Sequence, residues 1–342
     1  MNFNVILLTL IIILILSVTY TGSEEVVKQN VSVAVTGDVM FCRSVPDAME
    51  GESPFRGVSN ITSTVDLLLI NFENTASDSK NQIKRDVPLK CSPEYVPFAK
   101  ANNRTIAALA NNHIMDYGFE GMNDTITNLK SSNITPIGAG LNESEAHRCV
   151  VENISGRKIT ILNYMDSENF KEYSYDTMPY ANGTHPGYSA YDFKDAERQI
   201  NENNDSDLII VFMHFGNEYS RHANSRQIEI AHDLIDSGAD IVVGCHPHVT
   251  QNVEVYKGKP IFYSLGNFIF DQSRADTHQA YFIKLDLINN TCQCSLYPVY
   301  IKNTLPEFMD ENSADNLLKG LSDEISIFHG VGKLQFNLTG EV

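Results

Sequence analysis

His214-Phe215-Gly216-Asn217-Glu218 and Gly244-Cys245-His246-Pro247-His248 each follow an apolar run, 208–213 and 241–243, that reads as a buried strand. Three imidazoles delivered by two strand ends point to a metal site, because neutral imidazole is the commonest protein ligand for zinc, iron or nickel. The chain holds only ten histidines, so their concentration here is informative. Other donors upstream repeat the arrangement. Asp38 follows a strand predicted at 31–36, Glu73 one at 65–70, and Asn112 and His113 one at 106–110. Carboxylate, amide oxygen and imidazole together suit one or two divalent transition ions (Mn, Zn or Fe), and a carboxylate can bridge two of them. The expected metal ligands are therefore Asp38, Glu73, Asn112, His214, His246 and His248. His113, with Asp116 three residues on, is expected as general acid or transition-state donor. Arg43 either grips an anionic substrate group or pairs with a nearby acid. Asn267 and Asp271 read as structural residues of the rim, and His222, His232 and His278 as surface or helix residues. Strand alternation turns Cys245 away from its neighbours, towards packing or a disulfide.

Elements that could position these residues follow a clear rhythm. Helical spacing appears at 92–103, opened by Pro93, and at 121–131, 192–203 and 225–237. The last two each precede an apolar strand led by an aspartate, Asp207 or Asp240. Strand–helix–strand order implies parallel pairing in a layered α/β domain, and ligands bind such sheets where the strands finish. Further strands are read at 149–151 and 158–164, while 166–187, rich in Tyr, Asn, Gly and Pro without a period, reads as an exposed loop. An antiparallel meander is expected from strands at 260–265, 280–288 and 293–301, then a helix at 313–328 and a strand at 333–338.

Composition narrows the function classes. The 342 residues are 42% hydrophobic and 20% charged, enough for a large core. A net charge of −18 excludes a nucleic-acid partner, since no basic stripe could neutralise phosphates. An anionic substrate fits only if bound cations reverse the local field. Residues 5–18 carry no charge, and 1–21 read as a membrane anchor or a signal segment, followed by a linker at 22–30. The anchor is preferred because no small-residue cleavage site follows; either way the remainder lies outside the cytoplasm, held at the membrane or secreted. Sequons beginning at Asn30, Asn60, Asn103, Asn133 and Asn182 agree with export and glycosylation. Six cysteines in an exported chain could pair.

Six motifs then occur in order: Gly37-Asp38-Val39-Met40-Phe41 with Arg43, Asn71-Phe72-Glu73-Asn74, Ala110-Asn111-Asn112-His113, His214-Phe215-Gly216-Asn217-Glu218-Tyr219, Gly244-Cys245-His246-Pro247-His248 and Ser264-Leu265-Gly266-Asn267-Phe268. This series resembles the CapA family of capsule-synthesis proteins, associated with poly-γ-glutamate production and export. The likeness covers about residues 31–302 and leaves 303–342 as a C-terminal helix-and-strand extension. That family is similar in turn to calcineurin-type metallophosphoesterases: Asn112-His113 resembles their Gly-Asn-His element, and Gly244-x-His246-x-His248 their Gly-His-x-His element. The resemblance implies a layered α/β/β/α sandwich of the metallo-dependent phosphatase type, which the apolar run at the N-terminus would precede as a membrane helix. It implies a metal-dependent hydrolase, phosphoesterase-like or cleaving γ-glutamyl amides, acting on an anionic surface polymer or a phosphorylated precursor. The alternative is a non-catalytic binding or scaffold subunit of a synthase or exporter, working with other capsule-synthesis proteins. Two departures stand out. Val39 and Met40 follow Asp38 where the phosphatase pattern has Asp-x-His, and Glu73 stands where phosphatases carry Asp.

Overall fold

Strands that are apolar on both faces need cover on both faces, and two sheets packed against each other with helices outside provide it. The computed structural model describes residues 28–83, 86–167 and 179–338. The predicted anchor at 1–21 lies outside the described residues, among which no helix is long and apolar enough to cross a membrane.

In the first sheet β1 (Val31–Val39), β2 (Leu67–Phe72), β3 (Thr105–Ala108) and β4 (Ile134–Ile137) run parallel. The second sheet has six strands: β5 (Val150–Ile154), β6 (Arg157–Met165), β7 (Leu208–His214), β8 (Ile241–Cys245), β9 (Val253–Tyr256) and β10 (Lys259–Phe262). Its order is β9-β10-β8-β7-β6-β5, with β6, β7, β8 and β10 parallel. The chain then returns to the first sheet. β11 (Asn267–Ile269) pairs parallel with β1 on the edge away from β2, and further along that edge β12 (Gln279–Ile288) and β13 (Thr291–Lys302) form an antiparallel hairpin; the strand read at 260–265 as part of the same meander is instead β10, parallel to β8 in the second sheet. β14 (Leu305–Phe308) and β16 (Val331–Asn337) both pair with β13, and β15 (Ser326–Phe328) pairs with β16.

Alternation along each parallel strand divides the core into layers. Leu67 and Leu69 face the second sheet with Val33, Val35 and Ile106, meeting Ile161, Ile210, Phe212 and Val243. Leu68 and Ile70 face outward, onto Met122, Ile126 and Leu129 of α1 (Gly118–Ser131). On the far side Leu162, Val211 and Val242 pack against α2 (Phe193–Glu202) and α3 (Ser225–Asp236) through Ile200, Ile230 and Leu234. The order of layers is thus α/β/β/α, as expected. Capping fixes where the helices begin. The Asp192 side chain accepts from Asp195 N, and Asn224 and Gln227 form a reciprocal capping box at α3.

Several expectations are corrected. The helix read at 92–103 is a 3₁₀ helix, Pro93–Ala99, because Pro97 inside it lacks the N–H an α-helix needs. The helix read at 313–328 is α4 (Glu311–Leu321), which stops where Ser322 turns extended at φ −171°, and β15 takes up its far end. The C-terminal segment packs as part of the domain: β14 and β16 extend the first sheet, and Leu318 and Leu321 of α4 enter the core between the sheets. The six cysteines, which the sequence left able to pair, are free thiols, with Cys245, Cys292 and Cys294 packed in the inter-sheet core. The asparagines of the five quoted sequons are all exposed.

Candidate metal centre

Backbone devices at the strand ends aim the site. A Cβ on Gly37 would lie 1.9 Å from Gly266 O, so only glycine lets β1 come this close, and Asp38 N donates to that same carbonyl at 3.1 Å. The pairing of β1 with β2 shifts register between Val35 and Asp38, an irregularity that re-aims Asp38 and sets it opposite Asn71. His214 ends β7 opposite Cys245 of β8. Beyond it His246 and His248 take φ values of 99° and 59°. Side chains seldom adopt this region, and it costs about 1–3 kcal/mol per residue, strain typical of functional sites.

The ligand atoms converge in two overlapping sets. One atom each from Glu73, His214 and His246 lie within 4.8 Å of one another, and so do atoms from Asp38, Glu73 and His248. Glu73 belongs to both. Its Oε1 is 3.9 Å from His214 Nε2 and 4.0 Å from His248 Nε2. Asn112 Oδ1 lies 3.1 Å from His214 Nε2, which adds an amide oxygen to the first set. His248 Nδ1 sits 3.1 Å from Asp38 Oδ2 and 2.9 Å from Asn267 Oδ1, leaving Nε2 towards Glu73. Asn71 ties the sets together: its amide nitrogen donates to Asp38 Oδ1 at 2.8 Å and Glu73 Oε2 at 3.3 Å, and its oxygen accepts from Asn111 at 3.2 Å.

All six expected ligands are buried; Asp38 and Glu73 are 0% exposed. Two carboxylates at that depth are costly without compensating positive charge. Burial pushes the Asp38 carboxyl up, but hydrogen bonding to and the charge of His248, with the Asn71 amide, outweigh it and hold the group below its ordinary range. Burial, with His214 and His248 alongside, pushes His246 well below the usual imidazole range. It therefore stays neutral, with a lone pair to offer. This donor set fits two divalent transition ions sharing Glu73: amide oxygen and two imidazoles on one side, Asp38 and His248 on the other.

His113 stands beside the shared carboxylate, with Nε2 4.0 Å from Glu73 Oε1. Its Nδ1 is 2.7 Å from Asp116 Oδ2, which also accepts from Leu89 N at 2.7 Å, so carboxylate and ring are both held in place. Arg43, at φ 56°, forms an ion pair with Asp271, whose other oxygen accepts from Ser44. Of the two roles expected for Arg43, this is the acid pairing. Met40, where the phosphatase pattern has its first imidazole, is buried in the outer core of the first sheet. Sequence reasoning missed Asn71, which stands near the end of β2, two residues before Glu73. Asn267, read as a rim residue, touches a ligand directly.

Strand ends of two facing sheets thus define a layered α/β protein with a candidate two-ion centre. The chain matches the family described as bacterial capsule synthesis protein PGA_cap over residues 32–272, which include every candidate ligand, and it belongs to that family. It is 31% identical to the PGA biosynthesis protein CapA of Bacillus subtilis (strain 168), across 97% of this chain and 90% of that protein. It is also 31% identical to the capsule biosynthesis protein CapA of Bacillus anthracis, across 88% of this chain and 77% of that one. Among solved structures, a hypothetical protein from Thermus thermophilus overlaps with a TM-score of 0.46 at 13% identity, covering 90% of this chain and 99% of that one.

Proposed function

We propose that the protein is a metal-dependent hydrolase serving capsule synthesis, acting on the anionic polymer poly-γ-glutamate or on a phosphorylated precursor of it. The observation that carries this reading is the sharing of Glu73 by two buried ligand sets. Two ions held there would polarise the carbonyl or phosphoryl oxygen and supply an activated water at neutral pH. The chain's own residues do the rest. Asp38 and His248 hold one side, and Asn112, His214 and His246 the other. His113 delivers a proton from Nε2 to the leaving group, with Asp116 fixing its ring through Nδ1. In this reading residues 1–21 anchor the chain, the domain works outside the cytoplasm, the exposed sequons carry glycans, and other capsule-synthesis proteins are its partners.

Metal analysis of the purified protein tests it. About two transition ions per chain are expected, with loss of turnover of a γ-glutamyl amide or a phosphodiester in His246→Ala. One observation favours a second reading, a non-catalytic polymer-binding subunit: apolar Met40 occupies the core where an imidazole would complete the Asp38 set. A folded, metal-free protein that still bound polymer would select that reading.

A further inference from the structure

A cleft of about 360 Å³ is lined by Arg221, His222, Asn252, Gln279, Asn316 and Gly320 among others. It adjoins the centre through two short stretches of chain. Tyr219, whose ring centroid is 6.1 Å from that of His248, precedes Arg221 by two residues, and His248 precedes Thr250, also in the lining, by two. A chain advances at most about 3.6 Å per residue, so the Cα atoms of the lining residues Arg221 and Thr250 lie within roughly 7 Å of those of Tyr219 and His248. Gln251 holds the two stretches together: its amide nitrogen donates to Ser220 O at 2.9 Å and His222 O at 3.2 Å, and its oxygen accepts from Gln227 at 2.8 Å. The Arg274 guanidinium stacks 4.5 Å over the Tyr219 ring, and Arg221 acts on Asp276, the partner of Arg274. Guanidinium groups thus gather on this side of the centre in a chain of net charge −18.

The opposite wall is α4, which lies beyond the family match at 32–272. Gly320 sits within this helix, where glycine weakens a helix relative to alanine. Packing does not require it: a Cβ there would meet nothing within 4 Å. A glycine that neither sterics nor a positive φ demands keeps the wall low and the cleft open.

We infer that this cleft is a subsite for the polymer strand beyond the reacting bond, Arg221 receiving the pendant α-carboxylates and Asn252, Gln279 and Asn316 the chain amides. The polymer's identity rests on the proposed function; the location of the subsite does not. The test is fluorescence anisotropy of a labelled γ-linked glutamate decamer on the full-length chain carrying His113→Ala, which keeps the metal ligands intact. Binding should weaken as salt rises, and Gly320→Glu or Arg221→Glu should weaken it about tenfold or more, since like charges then face each other. Gly320→Ala should bind as the parent does, and metal content and thermal midpoint should hold in all three variants. Binding within twofold of the parent in Gly320→Glu, equal binding of a neutral γ-linked isoglutamine decamer (α-carboxamides in place of the carboxylates), or no binding by the parent would each overturn the subsite. A decamer bound in the cleft but never cut by the wild-type chain would leave the subsite standing and sink cleavage of the polymer as the activity. A decamer cut normally with no effect of the cleft variants would do the reverse.

Discussion

Glu73 Oε1 lies 3.9 Å from His214 Nε2 and 4.0 Å from each Nε2 of His113 and His248, which makes its removal different in kind from the loss of an outer ligand. Glu73→Gln should lower bound metal in both sets, whereas His246→Ala should affect only its own. Elemental mass spectrometry of the purified variants separates the two, and equal losses would mean that the carboxylate does not bridge. His113 sits within reach of the centre without belonging to either ligand set. His113→Ala should therefore keep its metal and lose turnover by about 10²–10⁴-fold, with Asp116→Asn falling between it and wild type. Side chains announced by type and by strand-end position, the histidines above all, were legible in the sequence. Asn71 was not, because an amide at the end of an apolar strand looks alike whether it holds a ligand or only the backbone.

Among the elements, β1 has the least tolerance. An added Cβ at Gly37 would strike Gly266 O at 1.9 Å, so Gly37→Ala must part β1 from β11 and displace Asp38. A stability loss of about 1–3 kcal/mol is expected from the clash, read as a lower denaturant midpoint with an unchanged slope, together with weaker metal binding. Asn224→Ala, which removes one half of the α3 capping box, should cost about 1 kcal/mol and leave the metal untouched. If it emptied the site, helix and centre would be coupled more tightly than this packing allows. Strand periods and lengths were readable because alternation and apolar runs follow from burial on both faces. The end of α4 was not, since Gly320 lies inside the last turn rather than after it, no proline follows, and only pairing with β16 converts the following residues to strand.

At the scale of the whole molecule the buried imidazole sets the response to acid. Burial and its neighbours hold His246 well below the ordinary imidazole value, so the native state stays unprotonated where the unfolded chain takes up a proton. Stability of the metal-free protein should hold steady above pH about 6.5 and fall below it, by at most about 1.4 kcal/mol per pH unit for this group. Urea titrations at several pH values check this, and a flat profile down to mildly acidic pH would contradict it. Net charge governs binding as well: a chain at −18 repels a polyanion except where cations or arginines locally reverse the field.

By itself the sequence determined the inventory of donors, the alternating order of strands and helices, and the six ordered motifs that carry the family likeness. These are local properties, set by residue type and by the period of burial. Only the tertiary structure decided which donors share an ion, because Asp38 and His248 belong to different sheets and their separation depends on how two faces pack. The same packing turned Arg43 onto Asp271, left six thiols unpaired and set α4 across the cleft. Spacing along a chain cannot encode distances that arise only when remote layers close on one another.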